Sequence, residues 1–270
     1  MLIHRTSLAA AIAVATVGLL AAGPALADYA KPPEHLLKVL KAPPPPAPNV
    51  DPSGQRLLLT TAQTYPSIAR VAQPYLKLAG VRLEPKNRSR HDTPGGYGIP
   101  ACVADFSVVE IASGKTTKVD LPQGCSGGAL WSADGSHFAF QNAVDTSVQL
   151  WVGDAATGQV KQVPGVQLNP IFGSTVQWLG GSQNLLVKLV PANQGAAPSD
   201  GGVPTGPDAQ ESLGSSGESS TYEARDTLTS AHDEKLFAYY GASQLAVVDT
   251  ASGSVRPVGS AAIFNDDNAA

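Results

Sequence analysis

An all-β fold built from repeated four-stranded units is what this sequence predicts, and three observations carry the prediction. First, a turn followed by an apolar strand recurs: Asp51-Pro52-Ser53-Gly54 before Leu57-Leu58-Leu59, Trp131-Ser132-Ala133-Asp134-Gly135 before Phe138-Ala139-Phe140, and Trp178-Leu179-Gly180-Gly181-Ser182 before Leu185-Leu186-Val187. Second, a hairpin signature is written three times, as Glu110-Ile111-Ala112-Ser113-Gly114 leading to Val119, Asp154-Ala155-Ala156-Thr157-Gly158 to Val163, and Asp249-Thr250-Ala251-Ser252-Gly253 to Val258. Third, Gly114 and Gly158 stand 44 residues apart, Gly158 and Gly253 95, and Gly135 and Ser182 47. A period in the forties with several short strands per repeat is the mark of a β-propeller blade.

Taken in order, the chain opens on a targeting segment. His4 and Arg5 give a basic start, Leu8 to Leu20 is uncharged and apolar, and Ala25-Leu26-Ala27 suits a signal peptidase, so residues 1–27 are expected to be a cleaved signal peptide. The 13-residue run would reach about 20 Å as a helix, short of the roughly 30 Å of a bilayer core. Cleavage leaves 17 basic and 22 acidic side chains, a formal −5, and the product is expected in the periplasm or secreted with no membrane span. Residues 28–48 read as a short helix carrying Leu36, Leu37 and Leu40, stopped by Pro43 to Pro46, which lack the N–H a helix needs, and followed by a Pro-rich spacer.

Residues 49–262 are expected to form the partial propeller, about three four-stranded blades interrupted by insertions at about 65–100 and 191–231. The second insertion is poor in large apolar residues and reads as a surface excursion. Leu236 to Tyr240 reads as a strand of the last blade, Ile263-Phe264 as the start of another strand, and residues 263–270 as a tail. Propellers close with four to eight blades, so three leave an uncovered face and unpaired edges, and self-association is expected.

Composition narrows function. With 15% charged residues and a pI near 5.7, there is no cationic excess for a phosphate backbone, and no nucleic-acid partner is expected. There is no Cys-x-x-Cys, no His-Glu-x-x-His and no calcium-loop spacing, so no metal site and no cofactor is expected. Cys102 and Cys125 can form one disulfide, worth roughly 3 kcal/mol in the loop-entropy model, which export favours over two buried thiols or partners elsewhere.

Gly124-Cys125-Ser126-Gly127-Gly128 matches the Gly-x-Ser-x-Gly nucleophile elbow. No helix-forming run follows it and a repeat turn begins at Trp131, so Ser126 reads as a loop residue and no catalytic residue is assigned. Trp131 and Trp178 fall within the repeated turns and read as packing rather than a ligand platform.

Longer words along the chain resemble one family. Tyr29-Ala30-Lys31-Pro32-Pro33-Glu34 through Pro46, Tyr65-Pro66-Ser67-Ile68-Ala69, Leu78-Ala79-Gly80-Val81-Arg82-Leu83, Val203-Pro204-Thr205-Gly206-Pro207 and His232-Asp233-Glu234 through Leu245 are similar to exported bacterial serine peptidases of the prolyl oligopeptidase family, on its glutamyl endopeptidase-like branch. Ser230-Ala231 departs from that branch's usual Asn-Pro.

The resemblance implies a propeller that filters peptides on their way to an α/β-hydrolase domain bearing Ser, Asp and His, a domain this chain is expected to lack, which would leave it inactive by itself. Since the branch includes enzymes that cut after Glu, the basic cluster of Arg82, Lys86, Arg88 and Arg90 beside His91 suggests Arg82, Arg88 and Arg90 as contacts for a substrate carboxylate, a solvated loop being the alternative. The other reading of the whole chain is a stand-alone exported propeller-like binding or scaffold protein.

Overall fold

A computed structural model describes residues 31–93, 98–199 and 227–264. The stretch read as a signal peptide, the middle of the second insertion and the tail from 265 lie outside the described residues. The chain divides into two units, residues 1–42 and 43–270. In the first, α1 (Glu34–Leu40) forms the expected short helix, with Leu36 and Leu40 half exposed and Val39 more so.

The second unit is mostly β. Its strands are β1 (Ala47–Val50), β2 (Arg56–Ala62), β3 (Leu76–Leu78), β4 (Val81–Leu83), β5 (Val103–Glu110), β6 (Thr116–Val119), β7 (Cys125–Ser126) and β8 (Leu130–Trp131). They continue as β9 (His137–Ala143), β10 (Val148–Asp154), β11 (Val160–Leu168), β12 (Val176–Trp178), β13 (Asn184–Leu189), β14 (Ala242–Asp249) and β15 (Val255–Ile263). Two short helices are α2 (Ile68–Val71) and α3 (Ala231–Gly241).

Pairing sorts the strands into three antiparallel meanders. The first runs β1-β2-β5-β6. In the second, β9, β10 and β11 follow one another and both β7 and β8 pair with β9. The third runs β12-β13-β14-β15 and joins the second through the single register pair Leu168↔Leu189. Among the described residues no pairing closes the row into a ring, so the sheets are open.

The repeated glycines explain why the hairpins recur. Gly114, Gly158 and Gly253 have φ of +69°, +70° and +74°, and each donates its N–H to the carbonyl of the acidic residue four before it, at 2.8, 2.9 and 2.9 Å. Left-handed backbone costs a side-chain-bearing residue more than it costs glycine.

The core lies between sheets. Leu58, Phe106, Val108 and Val119 of the first meet Phe138 and Phe140 of the second, while Ala139, Leu150 and Val152 meet Leu185, Val187, Ala246 and Val248 of the third. A third cluster, Leu78, Val81, Leu83, Ile171, Leu236 and Tyr240, packs β3 and β4 of the first insertion against α3.

Three expectations are corrected. Leu236 to Tyr240 reads in sequence as a strand of the last blade but lies in α3, whose Ser230 side chain accepts from Asp233 N–H (3.1 Å) while the Asp233 carboxylate accepts from Ser230 N–H (3.0 Å), a reciprocal cap that fixes the helix start. Ile263 ends β15, pairing with Ala242, instead of opening a new strand. A strand, β1, already begins at Ala47 inside the stretch read as spacer, because Pro48 sits on an edge where its missing N–H costs nothing.

Candidate cleft beneath the first insertion

The first insertion folds over one end of the second sheet. Ser67 caps α2 by accepting from Arg70 N–H at 3.1 Å, and the β3–β4 hairpin turns at Ala79 and Gly80, both left-handed. Beyond β4 the chain makes a tight loop: Arg88 N–H donates to Glu84 O (2.8 Å) and Glu84 N–H to Ser89 O (2.9 Å), with Arg88 at φ +62°.

Glu84, 5% exposed, organises this loop. Its Oε1 accepts from the Arg70 guanidinium and from His91 Nδ1 (2.9 Å), and its Oε2 from Ser89 Oγ (3.2 Å). Tyr75 stacks on the His91 ring with centroids 4.3 Å apart. Burial, and then the Arg70 charge, hold the His91 imidazole below its ordinary value, and burial lowers Arg70 too. Asn87 Nδ2 donates to Val144 O (2.9 Å) and Lys86 pairs with Asp145 at 3.5 Å, which fastens the loop to the β9–β10 turn.

Under the loop lies a cleft in two adjoining parts of about 180 and 270 Å³, which share Arg70, Ser89, Cys125 and Ala143 on their walls. A disulfide joins Cys102, just before β5, to Cys125 on β7, so the base of the insertion is tied to the cleft floor.

The proposed substrate arginines separate in space. Arg90 lines the larger part of the cleft, bound to Asp92 Oδ1 (3.1 Å) and to Ile171 O (3.2 Å). Arg88 is 7% exposed and turns away toward the second insertion, donating to Gln194 Oε1 (2.7 Å) with its guanidinium 4.7 Å and 5.1 Å from the Tyr239 and Tyr240 rings. Arg82 lies on β4 opposite Lys77, and its backbone N–H donates to Asp92 Oδ1 at 3.4 Å. Lys86 lines the smaller part of the cleft, and Arg70 lines both parts. Sequence reasoning missed Arg70 and Glu84; the one signal for them was a carboxylate set inside a basic run, which needs a buried cation to balance it.

Ser126 is 2% exposed and its hydroxyl donates to Asn142 Oδ1 at 3.0 Å. Ser136 Oγ lies 2.7 Å from His137 Nδ1, but the nearby Asp134 carboxylate accepts from the serine hydroxyl (2.8 Å) instead of orienting the imidazole, so this is a turn and not a relay. Among the described residues no three His, Cys, Asp or Glu side chains gather as metal ligands.

No family model matches the chain. It is 32% identical over 255 residues to the probable chloroplastic glutamyl endopeptidase of Oryza sativa subsp. japonica, and 33% over 251 residues to that of Arabidopsis thaliana. These alignments take in 89% and 87% of this chain but 26% and 25% of those proteins, so the chain spans about a quarter of the length of the curated relatives it matches. Peptidases are therefore the class to which it is related. Within that class the chain is similar to the glutamyl endopeptidases, as the family words between Tyr29 and Leu245 implied.

Among solved structures it overlaps the acylaminoacyl peptidase of Pyrococcus horikoshii at 13% identity, 81% of this chain, 26% of that one and a TM-score of 0.39. The β-propeller domain of the trilobed protease of Pyrococcus furiosus gives 11%, 79%, 41% and 0.36. At such scores the sheet assignment rests on the strand pairing alone.

Proposed function

We propose that this chain is the β-propeller portion of an exported serine peptidase of the prolyl oligopeptidase family, and that it governs which peptides reach an α/β-hydrolase domain elsewhere in a longer protein. The observation that carries this is the similarity to glutamyl endopeptidases over nine-tenths of the chain. Three consecutive antiparallel meanders, the second with its edge split into β7 and β8 along β9, support the propeller reading, being the repeat unit such a ring requires. Export is read from the first 27 residues.

The chain contributes no nucleophile in this proposal. Ser126 is engaged with Asn142 beneath the surface, and an attacking hydroxyl needs an oriented imidazole. The cleft is the peptide's path, and its cations orient acidic peptides. Lys86 is the exchangeable one: its pair with Asp145 is exposed, such surface pairs are worth about 0–1 kcal/mol, and a peptide carboxylate can replace Asp145. Arg90 flanks that path, while Arg82 and Arg88 hold the frame.

The experiment is direct. The chain from Asp28 onward is purified and offered chromogenic peptides containing Glu or Pro, together with a fluorophosphonate. No hydrolysis and no labelling are expected; labelling that disappears in Ser126→Ala overturns the assignment.

A further inference from the structure

The three sheets align position by position. In their second strands Leu58, Ala139 and Leu186 are equivalent, and register pairs them with Val108, Val152 and Val247. Two residues further on, Thr60, Gln141 and Lys188 pair with Phe106, Leu150 and Leu245. Each sheet thus offers a triad on the same face. Leu58, Val108 and Phe106 are 0–2% exposed beneath Phe138 and Phe140 of the second sheet, and Ala139, Val152 and Leu150 are 0–3% exposed beneath the third. The last triad, Leu186, Val247 and Leu245, is only half-buried, and beside it on β15 Val258 is 37% exposed, whereas at the end of the face Lys188 is buried with its Nζ donating to Phe172 O (2.9 Å) and Phe264 O (3.3 Å).

A polar latch repeats with the same spacing. Trp131 Nε1 donates to Asn49 O of the first sheet (2.9 Å), and Trp178 Nε1 donates to Leu130 O of the second (3.0 Å). The acceptor is each time the residue just before the indole position. In the third sheet that residue is Gln177, and among the described residues no indole reaches its carbonyl.

We propose that the Leu186–Val247–Leu245 face is a docking surface for one further four-stranded antiparallel sheet, covalently continuous with this chain in a longer polypeptide, whose innermost strand carries a tryptophan that donates to Gln177 O. A second copy of this chain lacks the matching donor. Its first sheet has Val50 at the indole position, 53% exposed and without a side-chain N–H. Relatives about four times as long supply the room for such a sheet. The inference rests on reading the three sheets as consecutive blades, and it holds whether or not the longer protein is a peptidase.

The test compares Val247→Lys, and the milder Val247→Thr, in the chain as given and in the product of its full reading frame. In the chain as given, both variants keep the melting temperature within about 2 °C while the lysine abolishes binding of a hydrophobic dye, because the face is uncovered around Val247. Val152→Lys, at the covered equivalent, prevents folding. In the longer product, Val247→Thr lowers the melting temperature by about 3 °C and Val247→Lys by about 5 °C or more. A reading frame that ends at Ala270, a longer product indifferent to both variants, or unfolding of the chain as given by Val247→Thr each overturns the proposal. So does a micromolar dimer dispersed by Val247→Lys, which would assign the face to a second copy. Peptidase activity is not read, so these outcomes leave the proposed function to its own experiment.

Discussion

Asp51 shows how much one turn residue carries. Burial pushes its carboxyl up, but hydrogen bonds from Ser53 Oγ (2.6 Å) and from the Arg56 and Gln55 N–H groups (3.0 and 2.8 Å) outweigh burial and hold it below the ordinary carboxylate value. Asp51→Ala strands these donors and is expected to cost about 2 kcal/mol, seen as a fall of roughly 4–8 °C in melting temperature. The pH dependence has two windows. His91 is held neutral by burial against Arg70, with Arg82 adding to that and Asp92 and Glu84 opposing it, so the unfolded chain binds the proton more readily and stability falls as pH drops below about 6.5. The depressed carboxyls of Asp51, Asp154 and Asp233 keep their contribution above about pH 4 and lose it as pH falls through their folded values. Melting curves of His91→Gln should flatten the upper window and leave the lower one; a variant with the unchanged profile would show that His91 is not its source. At Cys102 and Cys125 the sequence left three options open, since residue spacing does not say where two Cα atoms lie. Alkylation of the denatured chain should add no mass without reductant, and two adducts without it would refute the bridge.

Among elements, the hairpins were the most legible. An acid followed four residues later by a left-handed glycine specifies its own turn through bonds made within those five residues. The stretch from Leu236 to Tyr240 was misread because a short apolar run suits a buried strand and a buried helix equally. The deciding signal stood just upstream, Ser230 with an acid three residues on, a local cap that repeat matching passes over. The cleft was half legible: the basic cluster was visible, but its commitment to Glu84, Asp92 and Gln194 depends on segments up to 106 residues apart. Gly153 illustrates packing that no local rule reveals. It lies across from Phe138, and an added Cβ would come within 2.1 Å of the ring. Phe138 is itself held edge-on by Trp131 and Phe106, so it has little freedom to move aside. Gly153→Ala is therefore expected to cost about 1–3 kcal/mol in chemical denaturation, whereas Gly128→Ala, which meets nothing within 4 Å, should be near neutral. Equal effects would mean that the ring relaxes.

At the scale of the whole molecule the sheets form a short row, each touching its neighbours, and stability in such a row is close to a sum of unit and interface contributions. The sequence revealed the row through its repeats. It did not reveal that the first insertion and α3 build a cluster of their own, because nothing local links Leu83 to Leu236. The second sheet is covered on both sides, by Leu58 and Phe106 on one and by Leu185 and Val248 on the other, while the outer face of the third is covered only at the end where Lys188 and Ser243 meet the Asn169–Phe172 segment. Each large apolar side chain removed from water contributes about 1.5–3 kcal/mol, so the half-exposed Leu186, Val247 and Leu245 leave the third sheet weaker by a few kcal/mol. Its link to the second through the Leu168↔Leu189 pair adds little backbone bonding to offset that. Opening should consequently begin there. In native-state hydrogen exchange with rising denaturant, amides of β13 and β14 are expected to exchange through an opening of lower free energy than those of β9 and β10. If all four strands instead merged into one isotherm at the global unfolding free energy, the molecule would be a single cooperative unit, and the row of separable sheets would be the wrong picture.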